Sequence, residues 1–322
     1  MAGVRWAGGF ICRLVSVFGG LRCGAGVAIW RYFGANDPAR VERAIQTNIL
    51  VSAISGLLLT GLGVWLTPHI LRWMDTDPEV LPDAIDYFRY YFTGVLAVVL
   101  YNACKSIMNA LGDSRRPLYY LLLSSAVNVV LDLLFIAGFG WGVWSAAVAT
   151  PISQAISLVL CLIHLSGKRT AFRLQWSKLR VDRELFGEIV RYGLPSGVQN
   201  CVISLANVIV QANINTFGKL AVAACGTYSK LEGFAFLPIT SFTMALTTYT
   251  GQNLGAREYD RAKKGARFGI LCAIIIAELI GLALYILMPQ LARLFTQTPE
   301  VIQMATRQAR TIAPFFFLLA YS

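Results

Sequence analysis

The sequence predicts an all-α integral membrane protein made of two parallel-repeat helical bundles, with six helices in each bundle and twelve spans when complete. Three observations predict it. Of the 322 residues, 56% are hydrophobic and 14% charged, with mean hydropathy +0.59; a soluble domain carries roughly 25% charge. That much apolar surface needs a lipid solvent. Apolar runs of span length alternate with short loops whose basic content switches from one loop to the next. Finally, one register of residues occurs twice at an offset of 221.

Seven spans are expected near 44–67, 87–110, 118–138, 142–165, 192–215, 221–249 and 266–288, each close to the roughly 20 residues that cross a hydrocarbon core. A weaker run at 7–30 and a last one at 301–322 bring the expectation to about eight spans plus partial ends. Arg13 and Arg22 interrupt the first run, which therefore does not read as a secretory signal.

The loops predict the orientation. Those around Arg31–Arg43, Arg115–Arg116, Lys168–Arg191 and Arg257–Arg267 hold 17 basic residues, and the intervening loops hold only Arg72, Lys219 and Arg293. Basic loops stay in the cytoplasm. The segment 167–191 is thus expected inside and the loop from Asp75 to Asp83 outside, in a multi-pass protein of the inner (plasma) membrane. A nucleic-acid surface would not alternate so strictly, and no nucleic-acid partner is expected despite the net charge of +11.

The repeat sets the organisation. Gly34-Ala35-Asn36-Asp37 aligns with Gly255-Ala256-Arg257-Glu258, and the same offset pairs Pro68 with Pro289, Arg72 with Arg293, Pro78-Glu79-Val80 with Pro299-Glu300-Val301, and Arg89 with Arg310. Equivalent helices are six spans apart, an even number, so both copies enter the membrane in the same direction. The expected division is an N-terminal lobe at 1–166, a basic cytoplasmic linker at 167–191 and a C-terminal lobe at 192–322. Helices at each end of the repeat have no counterpart within the chain, so it reads as truncated at both ends.

Redox and metal chemistry find little support. The seven cysteines form no CxxC pair, and His69 and His164 lack a metal-ligand spacing. Neither a cofactor nor a metal is expected, nor an enzymatic activity; an intramembrane transferase would call for paired acidic or histidine clusters at a membrane face.

Five stretches then carry a resemblance: Gly24-Ala25-Gly26 with Arg31-Tyr32-Phe33-Gly34-Ala35; Asn109 to Ser114 with Pro117; Asn128 to Asp132 with Gly140-Trp141-Gly142-Val143; Gly193-Leu194-Pro195; and Gly251 to Ala256. In order and spacing the chain resembles the multidrug and toxic compound extrusion (MATE) family of bacterial transporters. The resemblance implies two bundles around a central cavity that exchange amphipathic, often cationic compounds for protons or sodium ions by alternating access. It also implies departures. The family's first helix, acidic in many members, would lie before this chain, and the seventh-helix carboxylate of some members would fall near Ile203.

Polar residues inside spans are the candidate pathway, because a charge at the bilayer centre costs about 2.5–3.5 kcal/mol on insertion scales. Asp132 follows Asn128 by one helical turn, so both share a face and can share a proton or cation, or can serve a helix–helix contact. Glu278 lies mid-span as a proton carrier or a neutral acid. Asn200, Ser204, Asn207, Gln211 and Asn215 recur at spacings of 4, 3, 4 and 4, one polar ridge that suits either a substrate path or interhelical bonding. Glu232 beside Lys230 suggests a local pair. Pro151, Pro195 and Pro238 are expected to interrupt spans.

The expected function is secondary active export of small-molecule drugs or xenobiotics by a monomeric chain in contact with membrane lipid, driven by H+ or Na+. A lipid-linked oligosaccharide flippase and a non-functional fragment are the alternatives.

Overall fold

The computed structural model describes residues 24, 26–73, 81–140, 144–167, 172, 174–176 and 179–321. Most of the weak run at 7–30 and of the loop at 75–83 lies outside these residues. All regular structure among the described residues is helical. Helix α1 covers 26–34; then follow α2 (Pro38–Trp73), α3 (Leu81–Thr93), α4 (Val95–Ala110), α5 (Arg115–Leu133), α6 (Trp144–Ser166), α7 (Arg183–Thr216), α8 (Lys219–Gly255), α9 (Tyr259–Arg293), α10 (Pro299–Ile312) and α11 (Phe316–Tyr321).

Six helical segments among the described residues are long and apolar enough to cross a membrane: 38–72, 81–110, 115–138, 147–166, 183–216 and 259–293. The expected span at 221–249 is helical throughout as part of α8 but is not among them. Its second half alternates apolar residues with Thr240, Ser241, Thr243, Thr247 and Thr248. Each of these hydroxyls donates to a carbonyl one turn earlier at 2.7–3.1 Å, so the helix satisfies them internally. Residues 183–191, read from sequence as linker, are the first turns of α7. Asp182 starts that helix, its Oδ1 accepting the Glu184 and Leu185 amides at 3.0 and 3.4 Å.

The prolines correct another expectation. Pro151, Pro195 and Pro238 lie inside continuous helices, as do Pro68 and Pro289. Each removes one backbone N–H without ending its helix. Pro314 is different, because it sits in the single 3-10 turn Ala313–Phe315 that separates α10 from α11.

The repeat recurs in the backbone. Shifted by 221, the α2 start at Pro38 falls on the α9 start at Tyr259, and Gly94, which separates α3 from α4, falls on Phe315 at the break before α11. The turn before each long helix closes the same way. Ala35, Asn36 and Asp37 donate to the carbonyls of Arg31, Phe33 and Tyr32; Ala256, Arg257 and Glu258 donate to those of Gln252, Leu254 and Asn253. Leu111, Gly112 and Asp113 close the α4 end onto Ile107, Asn109 and Met108. All three are helix C-terminal motifs with a left-handed residue at the corner: Asn36, Arg257 and Gly112.

The chain divides into two compact units, the first ending at Ile203 and the second starting at Ser204, within α7. In the first unit Ile29, Val41, Ile45, Cys104, Ile107, Met108, Cys161 and Leu165 form a buried core. Its helices approach closely at small residues: a Cβ on Gly94 would collide with the Pro151 ring, and one on Gly24 with the backbone of Ile189 and Gly193. Tyr32 donates to Glu188 Oε2 at 2.9 Å and Arg43 pairs with Asp182 at 3.3 Å, which docks the start of α7 on α1 and α2. In the second unit Tyr228, Leu231, Met288, Val301, Ala305 and Ala309 form a core. There Gly265 and Gly269 face the Tyr249 ring and the Leu246 side chain of α8.

Candidate cation and substrate pathway

Helices α5 and α6 run antiparallel, fastened by serines. Ser124 Oγ donates to the Ser153 carbonyl at 2.6 Å, and Ser157 Oγ to the Tyr120 carbonyl at 2.9 Å. Hydroxyls that reach a neighbouring backbone let two spans pack at short range. The two bonds also fix the register. Continued toward the α5 C-terminus, it sets Asn128 opposite Ala149 and Asp132 opposite Ser145.

Those positions hold the clearest unsatisfied polar group set of the first unit. Asn128 Nδ2, Asp132 Oδ1 and Ser145 Oγ are buried without a hydrogen-bond partner among the described residues. Asn128 and Asp132 lie one turn apart on one face, as the sequence predicts. Directly after them α5 widens into a π-helical turn, Leu134–Gly138, a distortion frequent at functional sites. The Asp132 carboxylate can take up a proton or supply charge to a small cation, and the Ser145 hydroxyl is an oxygen with free capacity, whereas the unpartnered Asn128 atom is a donor, Nδ2, suited to hydrogen-bond an ionised carboxylate. Ser145 is not a candidate of the sequence reading; it is level with Asp132 only in the register that the two serine bonds set between α5 and α6.

Glu278 has a definite partner. Its Oε1 accepts the Phe317 backbone N–H at 2.9 Å, across from α9 to the first turn of α11. The break at Pro314 frees amides at the α11 start, and a carboxylate is the acceptor that suits a helix N-terminus. Glu232 also has a partner, but not Lys230: its Oε1 accepts the Tyr228 hydroxyl at 2.9 Å, while Lys230 Nζ lies 5.7 Å from the Phe295 ring centre. Residues two apart on a helix do not face each other, whereas those four apart do.

The α7 ridge is continuous in helix but not buried. Asn200, Asn207, Gln211 and Asn215 are exposed and Ser204 partly so; Val208 and Ile209 on other faces are exposed as well. Gln211 Nε2 donates to Asn215 Oδ1 at 3.0 Å, so two ridge residues bond to each other along the helix.

A polar trio of an arginine, an aspartate and a histidine stands at the α4–α5 turn. Arg116 lies 3.0 Å from Asp113 Oδ2 and 2.8 Å from His164 Nε2 at the end of α6. Asp113 also accepts the Arg116 amide at 3.3 Å, so it caps α5 and ties that turn to α6. Asp37 plays the matching part at the start of α2, accepting the Arg40 amide at 3.1 Å. The signal was present in the sequence as an acid followed three residues later by arginine.

Comparison with known proteins places this architecture. The chain is 28% identical over 303 residues to the probable multidrug resistance protein YoeA of Bacillus subtilis (strain 168), covering 91% of this chain and 65% of that one. It is 26% identical to a protein named FAD transporter of Shewanella oneidensis, covering 87% and 63%. The chain thus spans somewhat less than two thirds of the length of these relatives. A multidrug resistance MATE family transporter of the MOP superfamily, solved in an outward-facing conformation, superposes with TM-score 0.86 at 27% identity over 99% of this chain and 71% of that one. The MatE family model matches residues 1–134 and 195–322, and with the repeat and turns that the fold displays, this chain belongs to the MatE family of transporters.

Proposed function

We propose that the protein acts in secondary active export, moving amphipathic or cationic small molecules out of the cell in exchange for H+ or Na+ by alternating access. The observation that carries this reading is the Asn128–Asp132 pair, with buried polar atoms left unpartnered beside a π-helical turn. A carboxylate placed so in a membrane helix is retained against a solvation cost, and a coupling ion offsets that cost when it binds. Multidrug relatives support the substrate class, since two of the similar proteins are named probable multidrug resistance proteins. The α7 ridge, Asn200 to Asn215, is assigned to the substrate path, and Asp132 to the ion.

The test is gradient-driven ethidium efflux from membrane vesicles that contain the full chain, with Na+ and pH gradients imposed separately. Efflux driven by one gradient, and abolished in Asp132→Asn at equal expression, supports antiport. Ethidium binding without efflux under either gradient supports the fragment reading and sinks antiport by this chain.

A further inference from the structure

The end of the second unit away from its basic α8–α9 turn carries a groove of about 940 Å³ between the close of α9 and the polar face of α10. Its charged lining is Arg293, Arg307 and Arg310, joined by Gln297, Gln303 and Thr306. We infer that this groove binds a phosphate-bearing organic anion.

The sequence of α10 builds the site. Val301, Ala305 and Ala309 recur every fourth residue and are buried, so Gln303, Arg307 and Arg310 are turned to the opposite face. Arg293 reaches the groove from the last turn of α9. Arg310 is held in place through Nε, which donates to the Tyr285 carbonyl at 3.5 Å while the guanidinium lies 5.3 Å from the Tyr285 ring centre. None of the three arginines has an ion pair among the described residues. Three guanidinium groups, each a planar fork of donors, with amides and a hydroxyl beside them, match the several oxygens and double charge of a phosphate better than any neutral or cationic group. The volume is that of a small-molecule site.

The repeat supplies an internal control. At the equivalent positions of the first copy stand Arg72, Arg89, Asp75 and Asp86, where the second has Arg293, Arg310, Thr296 and Arg307. In sequence the first copy thus has two arginines and two aspartates at these four positions. The second copy has threonine and a third arginine at those two positions, and its groove is lined by three arginines and no acidic residue. Positive residues are disfavoured on the side opposite the basic loops, which makes their accumulation here a feature that a ligand must explain. The groove lies within the second unit alone, and binding there does not require coupled export.

Binding is read at equilibrium, with the full chain in phosphatidylcholine nanodiscs and flavin mononucleotide as the soluble probe, followed by fluorescence polarisation. The expected result is saturable binding that is weakened at least about tenfold for riboflavin, which lacks the phosphate, and at least about tenfold by Arg307→Asp, which restores the charge of the first copy. Arg307→Gln is the second variant, and an unchanged melting profile certifies its fold. In a parallel arm, phosphatidylglycerol replaces part of the lipid. If flavin mononucleotide does not bind but phosphatidylglycerol raises the melting midpoint of the unsubstituted chain and not of either variant, the phosphate is a lipid headgroup. Equal binding of riboflavin and its phosphate, or no effect of either substitution on both probes, overturns the inference.

Discussion

Asn36 and Arg257 stand at the same corner of the two repeat copies, both in left-handed backbone, with φ of 55° and 62°. The flanking hydrogen bonds match one for one. Asparagine tolerates this region because its short polar side chain can bond locally, and arginine does not. Only the third such corner, Gly112, has the residue that the geometry favours.

Arg257→Gly should therefore stabilise the second unit. Relief of the left-handed conformation is worth about 1–2 kcal/mol, and the added freedom of glycine in the unfolded chain returns roughly 0.5–1 kcal/mol. The net expectation is a gain of about 0.5–1 kcal/mol, with a smaller gain for Asn36→Gly. Denaturant titration in detergent measures both. A loss of stability in Arg257→Gly would show that the arginine side chain makes a contribution larger than its strain.

The Glu278 bond to the Phe317 amide predicts a split between two substitutions. Glu278→Leu leaves that amide without its acceptor and should destabilise by about 1–3 kcal/mol. Glu278→Gln keeps an acceptor oxygen and should lose less. Hydrogen exchange locates the effect: the amides at the α11 start should exchange faster in the leucine variant than in the glutamine one. Equal exchange in all three proteins would remove Glu278 from the break at Pro314.

How much of this was legible depends on what carries each feature. The repeat could be read because its corner residues, Gly34 to Asp37 and Gly255 to Glu258, recur in register, and local turns are written in local sequence. The ridge from Asn200 to Asn215 could be read because helical period is a property of one segment. Its exposure could not, since burial depends on which neighbours pack against α7. Ser145 was illegible for the same reason: only the bonds Ser124–Ser153 and Ser157–Tyr120 establish what lies opposite Asp132. Pro151 and Pro195 misled because a missing amide bends or weakens a helix without ending it when surrounding packing holds the axis. Glu232 was matched to Lys230 on charge, where helix geometry prefers Tyr228.

Asp132 gives a prediction of opposite sign to an ordinary core substitution. Its Oδ1 is buried without a partner, a condition that costs roughly 1–3 kcal/mol. Asp132→Leu should thus leave thermal stability unchanged or raise it, while the sodium- or proton-dependent shift in melting midpoint disappears. Asn128→Leu should behave alike with a weaker loss of ion response. A helix–helix contact role would instead lower stability by about 0.6 kcal/mol, the average for an intramembrane hydrogen bond, and leave any ion response intact.

The ridge on α7 allows the sharpest separation of roles. Five polar side chains keep one face, and Gln211 bonds along the helix to Asn215 at 3.0 Å. Asn207→Ala removes an exposed amide and should change stability by less than about 0.5 kcal/mol. Gln211→Ala breaks an exposed bond between residues four apart, which is worth about 0.2–0.5 kcal/mol. If the ridge lines the substrate path, both variants should shift the relative binding of ethidium and an uncharged dye of similar size, because amides orient a cation differently from a neutral ring. Thermal unfolding and competitive dye binding on the same preparations decide it. Loss of more than about 0.6 kcal/mol with an unchanged dye preference would assign the ridge to interhelical packing, since that is the magnitude of such a bond in a membrane.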